Sequence, residues 1–239
     1  MFKNEERYKL YNGDCLEVMK DIPDKSVDMI LCDLPYGITW QKWDKIIPFD
    51  KLWEQYSRVI KDKGAIVLFS SQPFTTKLIS SNIKNFKYMW YWVKNNKGNY
   101  LNAKRQPLRQ IEEIVVFNKH NYYPQGLTEC NKISIRRGSG ARTTMQNYSN
   151  EWFQENTGYP SNVLYYSLDK EKLHPTQKPI DLLEYLVKTY TQENDCVLDN
   201  CMGSGSTGVA CINTNRKFIG IELDEKYFNI SCKRLENTN

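Results

Sequence analysis

Short apolar runs alternate, in the first half of the chain, with a segment in which apolar residues recur at helical spacing. Val27–Cys32 and Ala65–Phe69 are runs typical of buried strands, and Phe49–Lys61 has the apolar spacing of an amphipathic helix. Strands that alternate with helices predict an α/β fold with a mostly parallel sheet covered on both faces. The other elements predicted here are a helix over Phe74–Ser81 and strands over Tyr88–Val93 and Ile114–Phe117.

The alternation returns in the last part of the chain. Pro179 suits the first turn of a helix, because the N–H that proline lacks would have no helical partner there. The elements predicted after it are a helix over Ile180–Thr191, a strand over Cys196–Asp199, a helix over Thr207–Thr214, a strand over Lys217–Ile221 and a helix over Glu225–Leu235.

Between these two parts, from about Lys119 to Lys172, no hydrophobic period is sustained. So long a stretch without a pattern is uncommon inside a compact domain and is usually functional. We therefore interpret 119–172 as an inserted recognition segment, and 1–118 and 173–239 as two halves of one domain.

A glycine-rich turn is predicted between the strand that ends at Asp199 and the helix that follows it. Gly203, Gly205 and Gly208 have G-x-G-x-x-G spacing, and Glu222 ends the next strand. Glycines let the backbone approach a nucleotide-like ligand closely, and an acid at that place can accept hydrogen bonds from ribose hydroxyls. Because most of the sheet lies upstream of this motif, the strand order is permuted relative to a standard dinucleotide-binding fold.

A second motif, Asp33-Leu34-Pro35-Tyr36, follows the first predicted strand. Ligands of open α/β sheets bind at the carboxyl ends of the strands. The Asp33 carboxylate and the Leu34 carbonyl can each accept an N–H bond from a planar amine, and Tyr36 can stack on the ring that carries it. The motif predicts a site for an amine attached to an aromatic ring.

Together these motifs resemble those of the DNA amino-methyltransferases of the β group, in which a D-P-P-Y motif precedes the S-adenosylmethionine motif. Leu34 replaces the first proline but keeps the backbone carbonyl that the family uses, and Cys201 replaces a Phe that lines the cofactor pocket. Asn12–Asp14, which precedes the first predicted strand, His174–Pro179 and Ile219–Asp224 also match. The resemblance implies a Rossmann-like methyltransferase fold with a circularly permuted motif order. It also implies methyl transfer from S-adenosylmethionine to the N6 amine of adenine in DNA.

The resemblance further implies roles for individual residues. Residues 1–118 would be the catalytic half, with Asp33, Leu34, Pro35 and Tyr36 as the catalytic set, and 173–239 the cofactor-binding half. Asp14 would bind the adenine end of the cofactor, Glu222 its ribose and the Gly203–Gly205 turn its methionine part. Lys178 would meet the cofactor carboxylate or a phosphate, and His174 would have a structural role. The full expected cofactor set is Asp14, Cys15, Asp33, Lys178, Asp199, Met202, Gly203, Ser204, Gly205, Ser206, Thr207 and Glu222.

Basic residues are concentrated in two segments of a chain whose formal net charge is only +5. Trp90–Arg109 has five basic residues, four aromatic ones and no acid, and a second basic cluster surrounds Gly138–Gly140. Basic side chains neutralise phosphates, and aromatic rings stack on unpaired bases, although a solvated face beside a core strand would look similar. The residues expected to contact double-stranded DNA are Lys94, Lys104, Arg105, Arg109, Arg136, Arg137 and Arg142.

Composition narrows the class of protein. No apolar run is long enough to span a membrane, and the first nine residues are too polar for a signal peptide. Seven cysteines without a C-x-x-C pair predict a reducing compartment and no zinc site or other metal site. We expect a soluble, cytoplasmic protein encoded by a bacterium or phage, a monomer or homodimer, with a cognate restriction endonuclease as a candidate partner.

Three alternatives stay open. Methylation of cytosine at N4 uses the same chemistry, but family members of that type more often have Ser in place of Asp33. A nicotinamide-dependent oxidoreductase would use the glycine-rich turn and leave Asp33–Tyr36 without a role. A DNA-binding module that has lost catalysis is disfavoured because both motifs look intact.

Overall fold

The computed structural model describes residues 1–37, 44–135, 151–169 and 177–238. The chain divides into two compact units: Met1–Tyr123 together with Asn162–Asn239, and Pro124–Ser161. The larger unit contains the central sheet and all the helices of the described residues. Its strands are β1 (Phe2–Asn4), β2 (Tyr8–Asn12), β3 (Val27–Asp33), β4 (Ile60–Ser70), β5 (Phe86–Gly98), β6 (Arg109–Phe117), β9 (Val163–Tyr165), β10 (Cys196–Asp199) and β11 (Lys217–Glu222), and β7 (Thr128–Ile135) and β8 (Glu151–Thr157) belong to the smaller unit.

The central sheet has the strand order β1-β2-β11-β10-β3-β4-β6-β5-β9 within the described residues. The pairings from β2 to β4 are all parallel, as is that of β5 with β9, and β1, β6 and their neighbours pair antiparallel. The predicted α/β fold with a mostly parallel sheet is confirmed. The strands β10 and β11, late in the sequence, lie between β2 and β3, which is the permuted order that the sequence predicted.

Helices cover both faces of this sheet. In the described residues they are α1 (Cys15–Val18), α2 (Phe49–Val59), α3 (Phe74–Ser81), α4 (Ile180–Tyr190), α5 (Ser206–Asn213) and α6 (Glu225–Glu236). One hydrophobic cluster contains buried residues of α4, α5 and α6, and a second contains those of α1, α2 and α3. The α6 helix begins after Asp224, whose carboxylate accepts hydrogen bonds from the backbone N–H groups of Lys226 and Tyr227. No helix of the described residues has both the length and the apolar character needed to cross a membrane.

Several strands are longer than their apolar runs. β4 begins at Ile60, five residues before the predicted Ala65, and includes Gly64. A Cβ on Gly64 would lie 2.7 Å from the Asp28 carbonyl oxygen, so glycine allows the close approach of β3 and β4 here. β5 and β6 extend beyond the core as a hairpin whose outer residues are mostly polar, with Ile111 exposed. The hydrophobic pattern therefore predicted the buried centres of β4, β5 and β6 but not their solvated ends.

The strand β2 was not predicted. It has only five residues, and only Tyr8 and Leu10 are fully buried, which is too short an alternation to recognise. The expectation that Asn12–Asp14 precedes the first strand is wrong, since Asn12 ends β2.

The smaller unit, Pro124–Ser161, contains the antiparallel pair β7–β8. The sequence predicted no regular structure here, and the exposed apolar side chains explain why. Ile133 and Phe153 lie opposite each other in the pair yet are 70% and 54% exposed, so these apolar residues do not form part of a buried face that would give a period-two pattern. Arg136, Arg137, Arg142 and His174, which the sequence analysis singled out, lie outside the described residues.

Candidate active site

The carboxyl ends of four adjacent parallel strands bring polar residues to one edge of the sheet. Asp33 ends β3, Asp199 ends β10, Glu222 ends β11 and Asn12 ends β2. Asp199 pairs in register with Gly220, and Glu222 with Asn12, so these strand ends lie side by side. Two motifs that are far apart in sequence therefore meet at this edge, where open α/β sheets bind ligands.

A cavity of about 570 Å³ opens at this edge, which is within the usual size of a small-molecule site. Fourteen of the residues expected to bind the cofactor or to act in catalysis line it, as does the predicted DNA contact Lys94, whereas Gly205 does not. The expected residues in the lining, besides Lys94, are Asp14, Cys15, Asp33, Leu34, Pro35, Tyr36, Lys178, Asp199, Met202, Gly203, Ser204, Ser206 and Thr207, together with Glu222.

Glu222 is fixed by the glycine-rich turn. One carboxylate oxygen accepts a hydrogen bond from the Gly203 N–H and the other from the Asp224 N–H, each at 2.8 Å. The residue is 8% exposed, and burial raises its pKa above the ordinary value although these N–H groups lower it. Its orientation is therefore set before any ligand arrives.

Asp199 anchors the other side of the turn. Thr207 donates its hydroxyl to Asp199 Oδ2 at 2.7 Å, and the Cys201 N–H donates to Oδ1 at 3.1 Å. Burial raises the pKa of Asp199 to about 6, because desolvation disfavours the charged form more than these donors favour it. Asp199 thus joins the end of β10 to the start of α5.

Gly205 has a packing role. Its φ is +79°, and a Cβ there would lie 2.9 Å from both Ser231 Cβ and Leu235 Cδ1 of α6. The residue lets the turn lie against α6 and keeps its backbone in a left-handed conformation that other residues rarely adopt.

Asp14 begins α1 and accepts a hydrogen bond from the Leu16 N–H at 2.8 Å, as an N-cap does. The preceding Gly13 donates its N–H to the Glu222 carbonyl at 3.0 Å. This contact ties the start of α1 to the end of β11, so that Asp14 and Glu222 line the same cavity.

The Asp33-Leu34-Pro35-Tyr36 segment is held by its own side chains. The Tyr36 hydroxyl donates to Asp33 Oδ1 at 2.7 Å, and the Tyr36 ring stacks on Phe74 with centroids 4.9 Å apart. The Leu34 side chain is buried in the core, which accounts for an apolar residue at the place where the family has proline. Pro35 restricts the preceding residue to extended backbone.

Two lysines and two carboxylates form a chain of ion pairs beside this motif. Lys178 Nζ lies 2.5 Å from Asp33 Oδ2 and 2.8 Å from Glu112 Oε1, and Lys94 pairs with Glu112 Oε2. Lys178 also lies over the Phe69 ring. Lys94, one of the predicted DNA contacts, has its ammonium group on Glu112 in this structure.

Sequence reasoning missed Glu112. Its side chain is 8% exposed in β6, next to the apolar run Ile114–Phe117. A carboxylate this close to the apolar run of a core strand indicates a buried ion pair, because an acid is almost never buried without a partner. Its partners come from distant parts of the sequence, so the contact itself could not be read from spacing.

The expected DNA-contacting segment divides into two parts. Trp90 and Trp92 are core residues whose indole N–H groups donate to the Tyr190 hydroxyl and the Tyr166 carbonyl, so of the two interpretations left open the core strand holds for them, and they do not stack on bases. Beyond them the β5–β6 hairpin is exposed. Because β5 runs in the same direction as β3, this hairpin turn projects from the edge that holds Asp33. The exposed basic residues at or next to the turn are Lys97, Lys104, Arg105 and Arg109.

Comparison with known proteins decides the family. The sequence model of a family described as DNA methylase matches residues 27–233. The chain belongs to this N6/N4 DNA methylase family. It is also 30% identical to the DNA adenine methyltransferase YhdJ of Escherichia coli K12, over 98% of this chain and 84% of that protein. The methylase is 26% identical to the Type II methyltransferase M.HpaI of Haemophilus parainfluenzae, over 96% of this chain and 74% of the relative.

Solved structures agree with the fold of the methylase. The M1.HpyAVI–SAM complex superposes with a TM-score of 0.65 at 27% identity, covering 95% of this chain and 100% of that one. The cytosine-N4-specific PvuII DNA methyltransferase superposes with a TM-score of 0.69 at 17% identity, over 98% and 92% of the two chains, and shows the shared fold.

The cavity fits S-adenosylmethionine, the methyl donor of this family. Asp33, Asp199 and Glu222 give it an acidic lining, which suits a sulfonium cation, and Glu222 is a fixed acceptor of the kind that binds ribose hydroxyls. The methylase is therefore an S-adenosylmethionine-dependent DNA methyltransferase, as the motifs predicted.

Proposed function

We propose that the methylase transfers the methyl group to the exocyclic N6 amine of adenine in double-stranded DNA. The observation that carries this proposal is the place of Asp33, a carboxylate at the end of β3 that lines the same cavity as Glu222 and the glycine-rich turn. A carboxylate rather than a hydroxyl at this position is typical of the adenine-specific members. The similarity to YhdJ, named a DNA adenine methyltransferase, favours the same base.

The reaction needs two acceptors for the target amine. The lone pair of an exocyclic amine is delocalised into its ring, so the nitrogen is a poor nucleophile. Hydrogen bonds donated by this amine to the Asp33 carboxylate and the Leu34 carbonyl favour a pyramidal nitrogen and free its lone pair. No covalent intermediate is required, and catalysis comes from positioning and electrostatics.

Tyr36 positions the base ring. Phe74 stacks on the Tyr36 ring, and the Tyr36 hydroxyl is held by Asp33. The ring is therefore rigid and lines the cavity, where it can stack on the target base. Such stacking offsets part of the few kcal/mol that it costs to extrude a base from the duplex.

The cofactor would be held by the residues that line the other part of the cavity. When bound, S-adenosylmethionine supplies an electrophilic methyl group. Glu222 would accept from its ribose hydroxyls, Asp14 would bind near the adenine, and the turn at Gly203 would face the methionine part. The buried Asp199 carboxylate supports the glycine-rich turn by accepting a hydrogen bond from the Thr207 hydroxyl.

DNA would lie over this edge of the sheet. Lys104, Arg105 and Arg109 are exposed at the hairpin on the Asp33 side of the sheet, where they can neutralise phosphates. Residues 119–172 would read the DNA sequence, with Arg136, Arg137 and Arg142 as candidate contacts to bases or phosphates. The similarity to Type II methyltransferases makes a cognate restriction endonuclease a candidate partner in the cytoplasm.

The product identifies the reaction. Unmethylated duplex DNA is incubated with the purified protein and S-adenosylmethionine labelled in its methyl group, then digested to nucleosides and analysed by mass spectrometry. We expect labelled N6-methyldeoxyadenosine. Labelled N4-methyldeoxycytidine would overturn the assignment to adenine, and sequencing the methylated positions would give the recognised site in the same experiment.

A further inference from the structure

The ion pairs beside the catalytic motif form a chain in which two positive and two negative groups alternate. Asp33 pairs with Lys178, Lys178 with Glu112, and Glu112 with Lys94. The Glu112 and Lys178 side chains are 8% and 10% exposed, and that of Asp33 is 21% exposed. Formally the four charges cancel.

Glu112 has no direct part in the proposed reaction. Of the charged groups in the described residues, its ion-pair partners are Lys178 and Lys94. A carboxylate buried this deeply is costly unless it is paired, and replacing buried ion pairs by apolar residues is often neutral or stabilising. Stability alone is therefore a weak reason for placing Glu112 beside the catalytic aspartate.

We propose that Glu112 is a positioning residue that shares the charge of Lys178 and so leaves the Asp33 carboxylate able to accept a hydrogen bond from the target amine. This inference rests on the proposed role of Asp33. With Glu112 present, the Lys178 ammonium group donates a hydrogen bond to Asp33 and also forms an ion pair with Glu112. Without that second carboxylate, its whole charge acts on Asp33, which becomes a weaker acceptor.

The charges near Asp33 agree with this arrangement. Burial raises the pKa of Asp33, Lys178 lowers it, Glu112 raises it again and the Tyr36 hydroxyl lowers it, with a net shift above the ordinary value. The charge of Asp33 is also coupled to Cys32 on its own strand and to Asp199 on β10. Removing the charge of Glu112 therefore lowers the pKa of Asp33.

For Glu112 itself, burial raises the pKa, but Lys178 and Lys94 outweigh it and the net shift is downward. The pKa of Lys178 is raised, since the two carboxylates more than offset the effect of burial. Both shifts favour the charged forms of Glu112 and Lys178, and neutralising Glu112 removes one of the negative charges that balance Lys178 next to Asp33.

The test measures kcat for DNA methylation against pH, at saturating DNA and cofactor, for the intact protein and variants. In Glu112→Gln we expect kcat at neutral pH to fall by at least tenfold, while the acidic limb of the profile moves to lower pH. Glu112→Asp, which keeps the charge, should recover most of the rate. Glu113→Gln is the matched control, because Glu113 is the next residue of β6 and hydrogen-bonds to Thr75 instead.

Lys94→Met supplies an independent check. It removes the other partner of Glu112, so that Glu112 binds Lys178 more strongly. The Lys178 charge then stabilises the Asp33 carboxylate less. We expect the acidic limb to move to higher pH, opposite to the shift in Glu112→Gln. Mere loss of packing would lower kcat in both variants without moving the two limbs in opposite directions.

Two results would overturn the inference: wild-type kcat in a folded Glu112→Gln, or a lower kcat with an unmoved acidic limb in both variants. Circular dichroism and calorimetric titration with S-adenosylmethionine establish that each variant is folded. The wild-type product analysis tests the proposed function separately, so a failure of one is distinguishable from a failure of the other.

Discussion

Lys178 Nζ lies 2.5 Å from Asp33 Oδ2, although the two residues are 145 positions apart in the chain. Lys178 lies just before α4, and Asp33 ends β3, so the contact joins the C-terminal part of the larger unit to the catalytic strand. With the Tyr36 hydroxyl on the other oxygen, both oxygens of Asp33 are held. The carboxylate is therefore oriented by the fold, and its loss should affect catalysis far more than cofactor binding.

Asp33→Ala is expected to reduce methyl transfer by at least 10²–10³-fold, the usual cost of losing one well-placed electrostatic group in an active site. Cofactor binding should be partly retained, because Glu222 and the glycine-rich turn do not depend on Asp33. Initial rates on duplex DNA and calorimetric titration with S-adenosylmethionine measure the two effects. Asp62→Ala, at a side chain that is 90% exposed, is the control. Near-wild-type turnover in Asp33→Ala would remove Asp33 from the mechanism.

The buried Asp199 predicts a specific pH dependence of stability. Its pKa is about 6 in the folded protein and near 4 in an unfolded chain, so the folded state holds a proton that the unfolded state has released between these values. This contribution to the free energy of unfolding is complete below about pH 4 and is lost as the pH rises through 6. The difference is on the order of 2–3 kcal/mol.

Asp199→Asn should remove that contribution. As the pH rises from about 4 to 6, the free energy of unfolding of the wild type should therefore fall relative to that of the variant, and outside this range the difference should stay constant. Urea unfolding of both proteins across this range, without cofactor, measures the difference. Comparison of the two proteins cancels the effect of Glu222, whose pKa is also raised. A constant difference at every pH would mean that Asp199 does not titrate in this window.

Gly205→Ala should destabilise the protein through two effects. A left-handed conformation costs a residue with a Cβ about 1–2 kcal/mol, and the contacts with Ser231 and Leu235 add about 1–3 kcal/mol of overpacking. Gly126 offers a matched control, because its φ is also +79° but a Cβ there would meet nothing within 4 Å. Denaturant unfolding should show a larger loss in Gly205→Ala than in Gly126→Ala. Equal losses would mean that α6 shifts to accommodate the added methyl group without a further loss in the free energy of unfolding.

The sequence predicted the parts of the site that local motifs encode. Asp33 and Glu222 could be placed because each ends a strand next to a recognisable turn, and parallel strands bring such ends together. Glu112 could not, since its partners Lys178 and Lys94 meet it only through the tertiary fold. The place of Trp90 and Trp92 stayed open at the level of sequence, because an aromatic residue in a basic segment looks the same whether it faces the core or the solvent.

The same distinction holds for the fold. The helix over Phe74–Ser81 and the strand over Cys196–Asp199 have the predicted bounds because burial imposes a clear pattern on them. In β7 and β8 the facing side chains of Ile133 and Phe153 are exposed, so burial imposes no such pattern on this pair of residues. An element can be predicted from the sequence where burial imposes a hydrophobic pattern on it. Burial is weakest at the exposed surfaces that would contact DNA.

Substituting alanine for Lys104, Arg105 and Arg109 together should weaken binding to every DNA sequence alike. Each lost phosphate contact should reduce the slope of log affinity against log salt by about 0.9. Fluorescence anisotropy with cognate and unrelated duplexes at several salt concentrations gives both quantities. Lys84→Ala is the control, since Lys84 is exposed but precedes β5 and lies at the opposite edge of the sheet. An unchanged slope in the triple variant would mean that DNA does not contact this hairpin.

The last prediction concerns the smaller unit, Pro124–Ser161, which we expect to determine which DNA sequence is methylated. It is a compact unit by itself, and its strands β7 and β8 pair only with each other among the described residues, so we expect that it can vary without disturbing the catalytic sheet. Base-edge contacts are worth about 1–3 kcal/mol of discrimination each, whereas phosphate contacts weaken all sequences alike. At least one of Arg136→Ala, Arg137→Ala and Arg142→Ala should therefore relax site preference.

Methylation rates on the recognised site and its single-base variants, at fixed salt, measure that preference for each arginine variant. A chimera in which 124–161 comes from a related methylase of different specificity should methylate the donor's site at a comparable kcat, because Asp33 and Glu222 stay in place. A chimera that keeps the original specificity would place recognition elsewhere. Equal loss of activity on every site in all three arginine variants would mean that these side chains hold only the phosphate backbone, since a lost base contact must change the ranking of sites.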